Sequence, residues 1–151
     1  MAEAGHELST FPRLLCRRQG RNLQPSTNLG RNELSNESSM TDAVILITRD
    51  GMGFADATLQ HKLLDTYLRL LPENGPLPAA ICFYTEGVKL VVEGSPLLER
   101  LAQIEGSGVR LIICSTCLNY FGLADKVRVG IIGGMADILE AQTKASKVIT
   151  L

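Results

Sequence analysis

Cys114-Ser115-Thr116-Cys117 places two thiols three residues apart, directly after the apolar run Val109-Arg110-Leu111-Ile112-Ile113. A strand feeding a helix brings both sulfurs near free N–H groups and the positive end of a helix dipole, which favours an anion and lowers a thiol's pKa. The residues alone leave three readings open: a nucleophile or sulfur acceptor, a thioredoxin-like dithiol, and two small buried hydrophobes without chemistry. In thioredoxin-like chains the pair follows an early strand, whereas here it follows the third. Cys82 sits inside an apolar run and suits the hydrophobe reading better. Zinc needs about four ligands, yet the chain has a single Cys-x-x-Cys, with His61 in a predicted helix and His6 near the start. No metal and no cofactor is expected.

Two further segments resemble ligand loops. Asp50-Gly51-Met52-Gly53-Phe54-Ala55-Asp56 can present backbone N–H groups to an anion, but it lacks the third glycine of a dinucleotide fingerprint and the lysine of a P-loop, so it reads as a tight turn before a helix. Gly133-Gly134 reads as a sharp backbone turn or a close approach between segments.

The elements that must position these residues begin at residue 43. A run over 43 to 48 has the continuous apolarity of a strand buried on both faces. Leu59, Leu63, Leu64, Tyr67, Leu68 and Leu71 recur at helical spacing and predict a helix over 57 to 71, ended by Pro72-Glu73-Asn74-Gly75-Pro76. A second strand is predicted over 79 to 84, then a turn at Thr85-Glu86-Gly87 and a short helix over 88 to 92. Ser95 as N-cap and Pro96 at the first helical position predict a helix running to Gly106. The third strand covers 109 to 113. Thr116 or Ser115 is then expected to cap a short helix through Phe121, ended by Gly122. Strands over 127 to 131 and 147 to 151 flank a helix over 135 to 145. Alternating strands and helices predict an α/β fold, a three-layer α/β/α sandwich on a parallel sheet. In such sheets the ligand crevice lies outside the carboxyl ends of the strands, here the loops after Thr48, Tyr84 and Ile113.

With 151 residues and 45% apolar residues the chain can bury one sizeable core. A formal charge of −1 without a long basic run argues against nucleic acid and membrane surfaces as partners. No apolar run approaches the roughly 20 residues that span a bilayer, and no secretory pattern opens the chain. Four cysteines, at 16, 82, 114 and 117, are too few and too irregular for a disulfide scaffold. A cytoplasmic protein with reduced thiols is expected. Residues 1 to 40 are rich in Arg, Asn, Ser and Gln without periodicity, so they read as a disordered tail or as an upstream extension, translation starting at Met40. The folded domain is expected over 41 to 151.

Three stretches together resemble the DsrE-like family, and within it the C-terminal domain of YedF-like proteins linked to selenium metabolism. They are Asp50, Met52, Gly53 and Asp56 in the first loop, Gly87-Val88-Lys89-Leu90-Val91-Val92-Glu93-Gly94-Ser95, and Cys114 through Leu123. The resemblance implies a five-stranded parallel sheet, homo-oligomers, and a persulfide-carrying cysteine at Cys114 with Cys117 resolving or sharing the sulfur. A substrate site is expected to draw on Asp50, Met52, Gly53, Glu86, Gly87, Thr116, Asn119 and Tyr120. Ser115, Thr85-Glu86 and Ala55 depart from the family pattern, and the Glu86 carboxylate is expected to disfavour a nearby thiolate. YedF-like proteins carry a TusA-like domain with a Cys-Pro motif, whereas Cys16 is followed by Arg17. A TusA-like sulfur carrier or a cysteine desulfurase is therefore expected as a separate chain. The expected function is a sulfur or selenium relay. The alternatives are a non-catalytic oligomeric binding module and a dithiol–disulfide switch.

Overall fold

The computed structural model describes residues 42–151; the predicted tail and Cys16 lie outside them. Ala43–Ile47 form β1, and all five side chains are buried. A strand is apolar at every position only where both sheet faces are covered. There follow α1 (Ala57–Leu70), β2 (Ala80–Phe83), a 3-10 helix (Thr85–Val91), α2 (Leu98–Gly106), β3 (Arg110–Cys114), α3 (Ser115–Phe121), a short 3-10 turn (Ala124–Lys126), β4 (Ile131–Gly133), α4 (Met135–Lys144) and β5 (Lys147–Thr150). The five strands lie in the order β4-β3-β2-β1-β5, with every pairing parallel. This is the predicted α/β architecture.

Successive residues of each strand point to opposite faces, which divides the core into two layers. On one face Ile45, Ile47, Ile81, Phe83, Leu111 and Ile113 meet Leu64 and Leu68 of α1 and Leu101 and Ile104 of α2. On the other, Val44, Leu46, Cys82, Ile112 and Cys114 meet Ile138 of α4. The result is a three-layer sandwich.

The differences from the sequence reading have local causes. α1 starts where predicted because the Asp56 carboxylate accepts the Leu59 N–H at 3.1 Å, a side-chain N-cap. Its buried row is narrower than the periodicity implies: Leu64 and Leu68 are fully buried, while Leu59 and Leu63 are each 44% exposed. Leu63 lies about 100° round the axis from Leu64, beyond the reach of the sheet. The turn at 85–87 and the helix predicted over 88 to 92 are one 3-10 helix, opened by the Gly87 N–H donating to the Tyr84 carbonyl at 3.1 Å. The Ser95 N-cap is also corrected: its hydroxyl accepts the Leu97 N–H at 3.3 Å and closes a turn, and α2 begins only at Leu98.

The largest shift is in the fourth strand, predicted over 127 to 131 and found at Ile131–Gly133. Val127 instead pairs antiparallel with Val92. Glu93 N donates to Lys126 O at 2.8 Å and Arg128 N to Val91 O at 2.9 Å, so this backbone is taken before the sheet begins. Gly130, at φ +83°, turns the chain back to the sheet edge, where an added Cβ would lie 2.9 Å from the Leu111 carbonyl oxygen. Only glycine meets both conditions cheaply.

Gly87 shows the tightest approach that bears on the crevice. A Cβ there would lie 2.2 Å from the Ile47 carbonyl oxygen, so the 3-10 helix rests directly on the end of β1. Gly87→Ala is expected to lower stability by about 1–3 kcal/mol through this overlap, read as a fall in the urea midpoint followed by circular dichroism. An unchanged midpoint would show that this contact does not set the position of the 3-10 helix.

Candidate functional site

Because all strands run the same way, β1, β2 and β3 end at one edge of the sheet. Cys114 is the last residue of β3 and also the N-cap of α3, with φ −66° and ψ 113°, and no side-chain hydrogen bond caps the helix. Ser115 and Thr116, the predicted caps, are therefore the first two helical residues: the strand passes into the helix without a loop. Gly122, at φ +64°, ends α3 as predicted. This junction gives the two thiols different surroundings. Cys114 points into the α4 side of the sheet and is 1% exposed, whereas Cys117 is only partly buried and packs against both core layers at the end of the sheet.

Thr85 joins the three strand ends. Its backbone N–H donates to Cys117 Sγ at 3.1 Å. Its hydroxyl donates to the carbonyl oxygen of Thr48, just past β1, with the Tyr84 carbonyl 2.7 Å away. Thr85 has φ +50°, and among the described residues no other non-glycine residue has a positive φ. For a β-branched residue this conformation costs roughly 1–3 kcal/mol and persists only where the surroundings hold it. Here the bond to Thr48 and the close seating of Gly87 on β1 hold it.

The electrostatics of the pair differ from the expected thiolate. Burial pushes the Cys117 thiol above its ordinary value; the Thr85 N–H pulls it back down, and the hydrogen bond and charge of Cys114 push it up again. This corrects the lowered pKa expected from the helix start: the seven-residue α3 offsets little of the burial. Glu86 does not contribute to that balance. Its carboxylate meets Lys89 Nζ at 3.2 Å, and Lys89 in turn lies 5.0 Å from the centre of the Phe121 ring. Burial pushes Cys82 up to about 11, against the opposing charge of Arg110.

The remaining predicted site residues divide by what they already touch. The Asp50 carboxylate lies 3.1 Å from His61 Nε2 of α1. Met52 is partly buried against the core, and its N–H donates to Gln60 O at 3.1 Å. Gly87 is buried, while Gly53, Thr116, Asn119 and Tyr120 are exposed, Tyr120 at 83% and edge-on to Phe121. Phe54, 89% exposed, carries the Arg49 guanidinium 5.0 Å above its ring. Thr85 and His61 are the site residues that sequence reasoning passed over. Thr85 stood out only as a departure from the family pattern, and His61 only as a rejected zinc ligand.

A cavity of about 250 Å³ opens at the other end of the sheet, between its floor of Val44, Ala79 and Ala80 and the α4 residues Glu140, Ala141 and Lys144. Neither Cys114 nor Cys117 lines it, and Lys144 is paired with Glu140 across one helical turn. Cys114 and Cys117 are at the strand ends, which is where the candidate site lies. Among the described residues no group of three or more His, Cys, Asp or Glu is gathered as metal ligands, and no helix is long and apolar enough to cross a membrane.

A parallel α/β sandwich with a dithiol at the carboxyl end of a central strand defines the class of protein. Residues 40–151 match the DsrE/DsrF-like family, and the chain belongs to it. Among solved structures, it is similar to a protein of unknown function, MTH1491, from Methanobacterium thermoautotrophicum, with 23% identity over 72% of this chain and 97% of that one and a TM-score of 0.56. The YchN protein of E. coli is 16% identical over 72% and 98% of the two chains, with a TM-score of 0.54. BT1422 of Bacteroides thetaiotaomicron, of unknown function, is 17% identical over 77% and 100%, with a TM-score of 0.53. At these identities the likeness is one of fold. No curated protein matches the sequence.

Burial orders the three thiols of the described residues by access. Under native conditions iodoacetamide is expected to alkylate Cys117 well before Cys82 or Cys114, as read by peptide mass spectrometry; Cys82 labelled as fast as Cys117 would contradict the structure. The Cys82 shift also has a stability consequence. Its thiol ionises from about 9 when exposed and about 11 when folded, so between those values the unfolded chain binds fewer protons and stability falls as pH rises, by up to about 1.4 kcal/mol per unit. Chemical denaturation of wild type and Cys82→Ala across this window should show the steeper decline in the wild type. Equal slopes would mean that Cys82 is not held as the neutral thiol.

Proposed function

We propose that this chain is a cytoplasmic sulfur relay protein whose Cys114–Cys117 pair accepts persulfide sulfur, or its selenium counterpart, and passes it on. The observation that carries the reading is a partly open thiol, Cys117, beside a second thiol and under a backbone N–H at 3.1 Å, at the strand-end edge of a DsrE/DsrF-like domain. Thiol exchange needs an attacking thiolate, a second sulfur within reach and open access to one of them. The residue resemblance to YedF-like proteins supports the same chemistry. Residues 1 to 40 stand in this reading as a tail or upstream extension of the domain that begins at 41. In this reading the donor is a TusA-like carrier or a cysteine desulfurase. Gly53, Thr116, Asn119 and Tyr120 are the predicted rim residues left open to it, since Asp50 and Glu86 already hold His61 and Lys89.

The relay unit is a homo-oligomer in this reading. Ile131 and Ile132 on the edge strand β4 are 55% and 51% exposed, and Met135 and Leu139 on the adjoining α4 are 54% and 57% exposed. Among the described residues β4 pairs only with β3, and an open parallel edge with four large exposed apolar side chains on and beside it favours burial against another copy. Analytical ultracentrifugation is expected to give a mass above the monomer for the wild type and a monomer for Ile132→Asp/Leu139→Asp. A wild-type monomer at micromolar concentration would exclude this interface.

For the relay itself, incubation with a cysteine desulfurase and cysteine is expected to add one sulfur mass to the wild type, and none to a Cys114→Ser/Cys117→Ser double variant. No added sulfur on the wild type would end this reading. A loss of two hydrogens instead would assign the pair to a dithiol–disulfide switch, which the packing of Cys117 against the layer that holds Cys114 also favours.

A further inference from the structure

The resemblance assigns the carrier role to Cys114, but the two sulfurs are not equally open to a donor. Cys114 is 1% exposed, enclosed by the α4 layer together with Cys82 and Ile138. Cys117 sits partly exposed on the first turn of α3 and accepts the Thr85 N–H. The residue that offers this N–H is held in the left-handed region at φ +50°, and the tie that fixes it to the end of β1 is the hydroxyl's bond to the Thr48 carbonyl. A backbone amide stabilises a charged sulfur more than a neutral one, since hydrogen bonds to ionised acceptors are the stronger kind. We propose that sulfur enters at Cys117, and that Thr85 is the positioning residue whose backbone N–H holds the ionised form of that thiol.

This inference rests on the sulfur-relay reading above and reverses the order in which the two cysteines act. After its proton has gone to solvent, Cys117 Sγ attacks the outer sulfur of a donor persulfide, R–S–SH. A Cys117 Sγ–S bond forms, the donor's S–S bond breaks, and the electron pair leaves with the donor as R–S⁻. The proton on the transferred sulfur stays with it, giving Cys117–S–SH, and no oxidant or reductant is consumed. The Thr85 N–H remains on Sγ throughout. Cys114, beside it and shielded from solvent, is placed to receive the sulfur next.

The hydroxyl and the left-handed backbone can be separated by substitution. Thr85→Val removes the tie and leaves a β-branched residue that disfavours φ +50°. Thr85→Gly removes the tie and leaves a residue at ease there. In a Cys114→Ser background, the pH–rate profile of iodoacetamide alkylation at Cys117 should move to higher pH in Thr85→Val, cutting the rate at neutral pH about three- to tenfold. Thr85→Gly should stay within about twofold of the parent. A Val profile that overlays the parent overturns the role of Thr85. That arm needs no sulfur donor, so it decides the Thr85 assignment even where the relay reading fails. For the order of transfer, brief exposure to glutathione persulfide should load Cys114→Ser and leave Cys117→Ser unloaded. Loading of Cys117→Ser at the wild-type rate overturns entry at Cys117.

Discussion

Three chain segments far apart in sequence meet at Thr85. Its hydroxyl binds the carbonyl that follows β1, its own peptide continues β2, and its N–H meets the sulfur three residues beyond β3. None of these contacts is strong alone, since a net intramolecular hydrogen bond contributes about 1 kcal/mol, and a left-handed threonine gives back a comparable amount. What makes the arrangement hold is the sheet. Parallel pairing fixes Ile47 opposite Phe83 and Phe83 opposite Ile113, so the three ends arrive in register whatever the loops prefer. Gly87, with no room for a side chain against Ile47, then seats the 3-10 helix close enough for Thr85 to reach Thr48.

The same register separates the fates of the cysteines. Cys82 lies mid-strand opposite Leu46 and Ile112 and is a core residue with a sulfur in it; burial holds it neutral. Cys114 closes β3 opposite Gly133 and faces the same layer. Cys117, one helical turn later, still packs against that layer but is partly open to solvent. A single strand-to-helix junction thus provides a shielded thiol and a partly exposed one packed against the same layer, the arrangement on which the proposed inward transfer of sulfur rests. Burial raises the cost of ionising Cys117, and the amide of Thr85 opposes it.

Much of this was legible in the sequence. β1 and β2 are short apolar runs buried at every position, the signature of a covered parallel sheet, and β3 departs from it only at the exposed Arg110. Asp56 and Gly122 mark helix ends where local chemistry decides the matter. The misplacements came where a tertiary partner overrode a local signal. Val127 has strand propensity, but spends it on Val92 rather than on the sheet. Ser95 and Thr116 are good caps by type, yet one closes a turn and the other falls inside α3. Leu59 and Leu63 have the spacing of a buried stripe but are each 44% exposed, on a side of α1 turned away from the sheet. The cysteines could be found by spacing. Thr85 could not, because no residue-type signal announces a left-handed threonine; its conformation is set by Thr48 and Cys117, which lie 37 and 32 residues away.

The contact between the Thr85 amide and the Cys117 sulfur is where fold and chemistry join, and nuclear magnetic resonance observes it directly. In a pH titration of protein labelled with nitrogen-15 and with carbon-13 at the cysteine β-carbons, the Thr85 amide proton should move downfield with the same midpoint as the Cys117 β-carbon, as a donor does when its acceptor becomes charged. A Thr85 amide that stays still while Cys117 ionises would show that the two are not bonded in solution, and would remove the physical basis for placing the reactive thiol at Cys117.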